Sequence, residues 1–393
     1  MTLFEKCRNF TKADELKAVG LYPYFRLVET GQDTEVRVDG HPVLMLGSNS
    51  YLGLTNHPHV KRRAIEALEQ FGTGCAGSRF LNGTLPIHLE LEERLAALVG
   101  KPAALVFSTG YQTNLGTISA LVLKGDVTVC DKLDHACIID GGLLAPGEML
   151  RYRHNDTEHL AAILRDLPAG SGRLVVTDGV FSMEGDICRL PEIVRIAREH
   201  DAQVLVDDAH GIGVLGPRGA GTAAHFGLTD ETDLIMGTFS KSLASTGGFI
   251  AAERDVINYL KHHSRAFIFS AAAPPAAVGA VLGALDVMER EPERFDRLWE
   301  NTRFLKSSLD ALGFQTGPSE TPIIPVLAGE LEQCFAVCGW LHDRGVFINP
   351  VVPPAVPPGR TLIRLSVTAG HTRAQLERAV DTIEKAGRHF GLI

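Results

Sequence analysis

Short apolar runs alternate with helical periodicities along most of the chain. "AALVF" (103–107), "VTVCD" (127–131), "RLVVTDG" (173–179), "QVLVDDA" (203–209), "DLIMGTF" (233–239) and "GGFIAA" (247–252) are apolar at consecutive positions, the pattern of strands buried on both faces. Between several of them lie amphipathic helices. "PEIVRIAREHDA" opens with Pro191 at a first helical position and sets Ile193, Ile196 and Ala197 on one face. "LELEERLAALVG" groups Leu91, Leu95 and Leu98 and stops at Gly100. This alternation predicts an α/β architecture, a mostly parallel central sheet with helices on both faces.

Beyond about residue 285 the texture changes. "PERFDRLWENTRFLKSSLDALGF" reads as one long amphipathic helix, and "PIIPVLA", "GVFINPV" and "TLIRLSV" read as strands. In the closing helix Thr372 and Gln375 make a capping-box pattern ahead of Leu376, Val380 and Ile383. The expected organisation is an N-terminal segment over 1–45, a large domain over 46–285 and a smaller C-terminal α+β domain over 286–393.

Composition narrows the function. The 393 residues carry a net charge of −9 with no basic block, which argues against a nucleic-acid partner. The seven cysteines form no CxxC, and charges recur through the first twenty residues, which rules out a signal-type apolar stretch there. The expectation is a cytoplasmic protein with reduced thiols. The most apolar run, "SAAAPPAAVGAVLGAL", is broken by Pro274 and Pro275 and is short of the ~20 residues a bilayer requires. Peripheral contact with the inner membrane stays open.

Ligands of an open parallel sheet bind beyond the carboxyl ends of its strands. There the chain places Gly110 and Tyr111, then His135, then Asp207 and His210 in "VDDAH", then Thr238, Ser240 and Lys241 in "GTFSKS". Taken singly, each has an ordinary explanation: a core histidine, a helix cap, a surface lysine. Together they do not. An aspartate inside an apolar run is costly unless paired, and Lys241 stands alone among Ser, Thr, Gly and Ala. Pyridoxal phosphate chemistry calls for this set. It needs a lysine for the aldehyde, a carboxylate for the pyridine nitrogen, and hydroxyls with backbone N–H groups for the phosphate. Other chemistries are poorly served, since there is no HExxH, no Cys/His ligand spacing for a metal and no GxSxG.

"SNSYLGL", "GTGCAGSRFLNGT", "STGYQTN", "DKLDHACIIDG", "TDGVFSMEGD", "LVDDAHGIGVLGPRGAG" and "GTFSKSLASTGGF" occur in that order. Together they resemble the α-oxoamine synthases, fold-type I pyridoxal phosphate enzymes that join an amino acid to an acyl thioester with loss of carbon dioxide. The opening motifs are most similar to the branch that uses L-serine and a long-chain acyl-CoA. Branches taking glycine or alanine with another thioester are the alternative.

The resemblance implies that Lys241 binds the cofactor's aldehyde and Asp207 pairs with the pyridine nitrogen. It implies that His210 bonds the ring hydroxyl, that His135 stacks over the ring, and that Gly110, Tyr111, Thr238 and Ser240 contact the phosphate. Ala271 and Ala272 would lend N–H groups to the phosphate of a neighbouring subunit, making a homodimer with shared sites. Asn49 and Arg364 would hold the amino acid's carboxylate, and the small residues of "GTGCAGSRF" would leave room for its side chain. Two positions depart from some relatives. Gly179 stands where a serine would touch the cofactor, and Val352 stands where an arginine would reach the carboxylate.

Overall fold

The structure is a computed structural model and describes residues 2–393. Thirteen strands form three sheets among the described residues. In chain order they are β1 (Glu35–Val38), β2 (His41–Met45), β3 (Ala103–Phe107), β4 (Val127–Asp131), β5 (Glu148–Tyr152), β6 (Arg173–Asp178), β7 (Gln203–Asp207), β8 (Leu234–Thr238), β9 (Gly248–Ala252), β10 (Ile323–Leu327), β11 (Val346–Phe347), β12 (Asn349–Val351) and β13 (Leu362–Ser366).

The central sheet runs β3-β9-β8-β7-β6-β4-β5. Its inner ladders from β8 across to β5 are parallel, and only β9 is antiparallel to both its neighbours. All six expected strands are present. Their consecutive apolar residues supply two cores at once: Ala104, Val106, Val204 and Val206 face one layer of helices, while Leu105, Phe107 and Leu205 face the other. Strand β5 has no apolar run and was not anticipated. It lies at the sheet's edge with Glu148 and Arg151 exposed, so one flank and part of its surface meet water.

A second, separate core joins both ends of the chain. Leu44 and Leu46 pack there with Ile324, Val326, Ile363 and Leu365. Strand β2 pairs in parallel with β11, and β13 is flanked antiparallel by β10 and β12. The helix Glu293–Leu312 ties the two cores together, with Leu298 in the first and Leu305 and Leu309 in the second. The last helix, Arg373–Phe390, begins with the expected reciprocal cap. Gln375 N–H donates to Thr372 Oγ1 at 3.2 Å, and Thr372 N–H to Gln375 Oε1 at 2.9 Å.

Candidate active site

Five strand ends open onto one cavity of about 350 Å³. Asp207 is the last residue of β7, Thr238 of β8 and Asp178 of β6, and Asp178 lies directly opposite Asp207 in the ladder. The turn after β3 feeds the helix Gly110–Leu121, whose N-cap Thr109 accepts the N–H of Gln112 at 3.1 Å. That leaves the first N–H groups of the helix at the cavity wall beside the hydroxyls of Thr238 and Ser240, which are 3.1 Å apart. Only glycine fits at 110, because a Cβ there would lie 2.6 Å from Thr238 Oγ1. Tyr111, half exposed, donates its hydroxyl to Asp140.

Asp207 is held from two sides. Its Oδ1 accepts the N–H of Ala209 at 3.0 Å and its Oδ2 accepts Asn114 Nδ2 at 2.5 Å. Burial pushes the Asp178 carboxyl well above the usual range, and the neighbouring charges of Asp207 and Asp134 push it further. Lys241 faces this group. Burial pulls its amine down to about 8, against the pull of Asp207 and Asp178.

The two histidines are neutral. Burial, reinforced by the charges of Lys241 and Arg364, holds His210 well below the ordinary imidazole range, and its Nδ1 lies 2.7 Å from Tyr51 Oη. Burial lowers His135 as well. His135 caps the helix Ala136–Leu144, with Nδ1 accepting the Cys137 N–H at 3.2 Å. Nδ1 also lies 2.9 Å from the Cys137 thiol, and with both donors on it the ring proton is on Nε2.

A second cavity, about 540 Å³, adjoins the first and shares His135, Ser182, His210 and Lys241 with it. Its far wall comes from the second core. Arg364 on β13 is buried and oriented by three bonds, from Nε to Ser182 O at 2.6 Å and from Nη1 to Asn49 Oδ1 at 2.9 Å and Ser366 Oγ at 2.7 Å. The rest of that wall is Asn349 followed by an apolar stretch of Pro350, Val351, Val352, Pro353, Pro354 and Ala355.

The structure thus gathers Gly110, Tyr111, His135, Asp207, His210, Thr238, Ser240 and Lys241 around one space, with Asn49 and Arg364 next door. Ala271 and Ala272 line neither cavity. The N–H of Ala272 is donated to Gly77 O at 3.0 Å within the chain. The "GTGCAG" segment packs against this same stretch and lines neither cavity, so it makes no room for a substrate in its own subunit. The expectation at Gly179 is also corrected. A Cβ there would meet Thr222 Oγ1 at 2.5 Å and Asp208 Oδ1 at 2.7 Å, so the position points away from the cavity and a serine would collide with a buried pair.

The model of the family "Aminotransferase class I and II" matches residues 41–383. The chain belongs to this family. A serine palmitoyltransferase of Sphingobacterium spiritivorum is 55% identical over 379 residues, 96% of this chain and 95% of that protein. An 8-amino-7-oxononanoate synthase of Thermoanaerobacter pseudethanolicus is 42% identical, with 97% of each chain covered. A solved serine palmitoyltransferase carrying pyridoxal phosphate superposes with a TM-score of 0.97 at 38% identity, over 100% of both chains.

Several site residues of this family member escape a reading of the sequence. Asn114, Cys137, Asp178, Ser182 and Tyr51 lie inside the quoted motifs, yet the sequence alone assigns them no role, because the contacts that matter, such as Asn114 with Asp207, Tyr51 with His210 and Ser182 with Arg364, join positions far apart in the chain.

One further group braces the site from outside. His154 lies between Asp131 and Asp186, with Nδ1 3.1 Å from one carboxylate and Nε2 3.0 Å from the other. Burial opposes its charge, but the hydrogen bonds and charges of the two aspartates outweigh burial and push its pKa up to about 10. A pKa raised above the ordinary ~6.5 stabilises the fold fully below that value and is lost as pH rises toward 10. His154→Gln is expected to cost about 2–3 kcal/mol at pH 6 by urea unfolding, and the gap should shrink steadily toward pH 10. A gap of constant size across that range would contradict the assignment.

Proposed function

We propose that this chain is a pyridoxal-phosphate-dependent acyltransferase. It condenses L-serine with a long-chain acyl-CoA, palmitoyl-CoA being the reference substrate. The products are 3-ketodihydrosphingosine, carbon dioxide and free CoA, and the reaction opens sphingolipid synthesis. One observation carries the reading: Lys241 stands on the wall common to two cavities, with a polar cradle on one side and Arg364 with an apolar lip on the other. The serine palmitoyltransferase relatives support it.

The residues present fit the cofactor. The cradle that Gly110 keeps open has the donors a phosphate requires, in the N–H groups of Gly110 and Tyr111 and the hydroxyls of Thr238 and Ser240. Asp207 would hold the pyridine nitrogen, His210 the ring hydroxyl, His135 the ring face and Lys241 the aldehyde. When bound, the cofactor supplies an electron sink for a carbanion at the amino acid's Cα.

The chain's own groups do the rest. Arg364, with Asn49 beside it, receives the carboxylate of serine as a charge-assisted bond. Lys241 Nζ, its basicity lowered to about 8, takes the Cα proton and later returns one. His135 Nε2–H, on the wall common to both cavities, points a donor at the oxyanion that forms on the thioester. The apolar lip at 350–355 receives the start of the acyl chain.

The same reading makes the enzyme a cytoplasmic homodimer. Phe80, Leu81 and Phe269 are large apolar side chains left exposed around the 271–273 segment, an arrangement that suits burial against a second copy. Among the described residues no helix is long and apolar enough to cross a membrane.

A substrate panel tests the reading. Serine, glycine and alanine are offered against acyl-CoAs from acetyl to stearoyl, and product masses are recorded. Serine with an acyl chain of about sixteen carbons should give the highest kcat/KM, since each buried CH₂ adds ~0.8 kcal/mol of apolar transfer. Alanine or glycine with a short thioester as the best pair would leave the family intact and sink the serine assignment.

A further inference from the structure

Asn114 is fully buried on the helix Gly110–Leu121, a place where an apolar residue would cost less. Its carbonyl oxygen has no partner, a cost the fold carries without local return. Its Nδ2 makes two bonds, to Asp207 Oδ2 at 2.5 Å and to Cys137 Sγ at 3.1 Å. The reverse orientation of the amide would set a carbonyl oxygen against a carboxylate. Asp207 therefore fixes which way Asn114 faces.

Cys137 continues the chain. Burial and the charge of Asp207 push its thiol well up, so it keeps its proton. The sulfur already accepts from Asn114, and its one S–H has two acceptors in range, His135 Nδ1 at 2.9 Å and Asp207 Oδ2 at 3.9 Å. The nearer one takes it. His135 Nδ1 then receives both the thiol and the backbone N–H of Cys137, which excludes a proton there and commits the ring to Nε2–H.

We propose that Asn114 and Cys137 are positioning residues forming one hydrogen-bonded chain, Asp207–Asn114–Cys137–His135, that sets the tautomer and orientation of His135 from the same carboxylate that serves the cofactor ring. The role of His135 rests on the proposed function; the chain itself does not. Asn114 lies outside the cavity, and Cys137, which is on its wall, has its thiol committed to His135. Each acts through the group at its end, and the two ends lie 72 positions apart in the sequence, at 135 and 207.

The test uses cofactor-loaded protein with ¹⁵N-labelled histidine, the His135 signals assigned by their loss in His135→Asn. In the unaltered protein Nδ1 should be unprotonated. Cys137→Ser keeps a donor and should keep that tautomer. Cys137→Ala and Asn114→Leu should show mixed tautomers while retaining cofactor stoichiometry and melting temperature. The same tautomer in all four proteins would overturn the proposal. This measurement needs no turnover, so it stands even if the serine assignment fails.

Turnover gives a second reading. Cys137→Ala should lower kcat about three- to tenfold with little change in KM for serine, and Cys137→Ser should restore most of it. In a His135→Ala background the same substitution should have no further effect. An undiminished loss in that background would show that Cys137 does not act through His135, and would also overturn the proposal.

Discussion

Lys241→Ala should abolish product formation, by about 10⁴-fold or more, while the protein still folds and still binds pyridoxal phosphate through its phosphate cradle. The expectation follows from isolation. Among the described residues no other lysine lines either cavity, so nothing replaces Nζ in its proposed role as the base at the substrate's Cα. General base catalysis alone is worth up to about 10⁴-fold, and the covalent hold on the cofactor adds to it. Borohydride treatment of the loaded enzyme, followed by peptide mapping, should mark Lys241 in the unaltered protein and nothing in the variant. A marked peptide from another lysine would refute the assignment. The lowered basicity gives a further check. An amine with a pKa of about 8 is half free base at that pH. Uptake of pyridoxal phosphate by the cofactor-free protein should therefore quicken as pH rises to 8 and level off above it.

Asp207→Asn should leave the cofactor bound and cut serine α-proton exchange by about 10²–10³-fold. The amide keeps the size of the carboxylate and removes its charge. The consequence is large because the site is dry: Asp207 is buried, and the groups around it were arranged for an anion. The variant would set a carboxamide against Asn114 Nδ2 and the Ala209 N–H, so either one of its ends turns a donor toward a donor or Asn114 reverses its amide. Exchange at the unaltered rate, measured by loss of the α-deuterium of labelled serine, would remove Asp207 from the role.

Much of the architecture could be read from the chain because both-sided burial writes itself as consecutive apolar residues. Strands β3, β4 and β6 to β9 all have that signature. Strand β5 does not, since an edge strand with a wet face carries Glu148 and Arg151 where an inner strand carries valine. The site divides in the same way. Lys241, Asp207, His210 and His135 stand out as polar residues at the ends of apolar runs. Asn114 sits inside a helix, and Asp178 looks like any strand-ending aspartate until the ladder sets it opposite Asp207. Gly179 shows the converse hazard. A missing side chain suggests a lost contact, yet the direction of its Cβ, toward Asp208 and Thr222, is set by packing that no local stretch reveals.

The second core imposes an order on the birth of the fold. Strand β2 leaves the ribosome early, yet its parallel partner β11 lies some three hundred residues downstream, at Val346–Phe347 against Leu44–Met45. Until then Leu44 and Leu46 lack most of the core that buries them. The central sheet, whose strands all lie between 103 and 252, can assemble in the meantime. Arg364, the proposed anchor of the substrate, arrives after the strands that form the proposed cofactor cradle. On the proposed roles, a nascent chain would hold its cofactor before it could bind what the cofactor acts on.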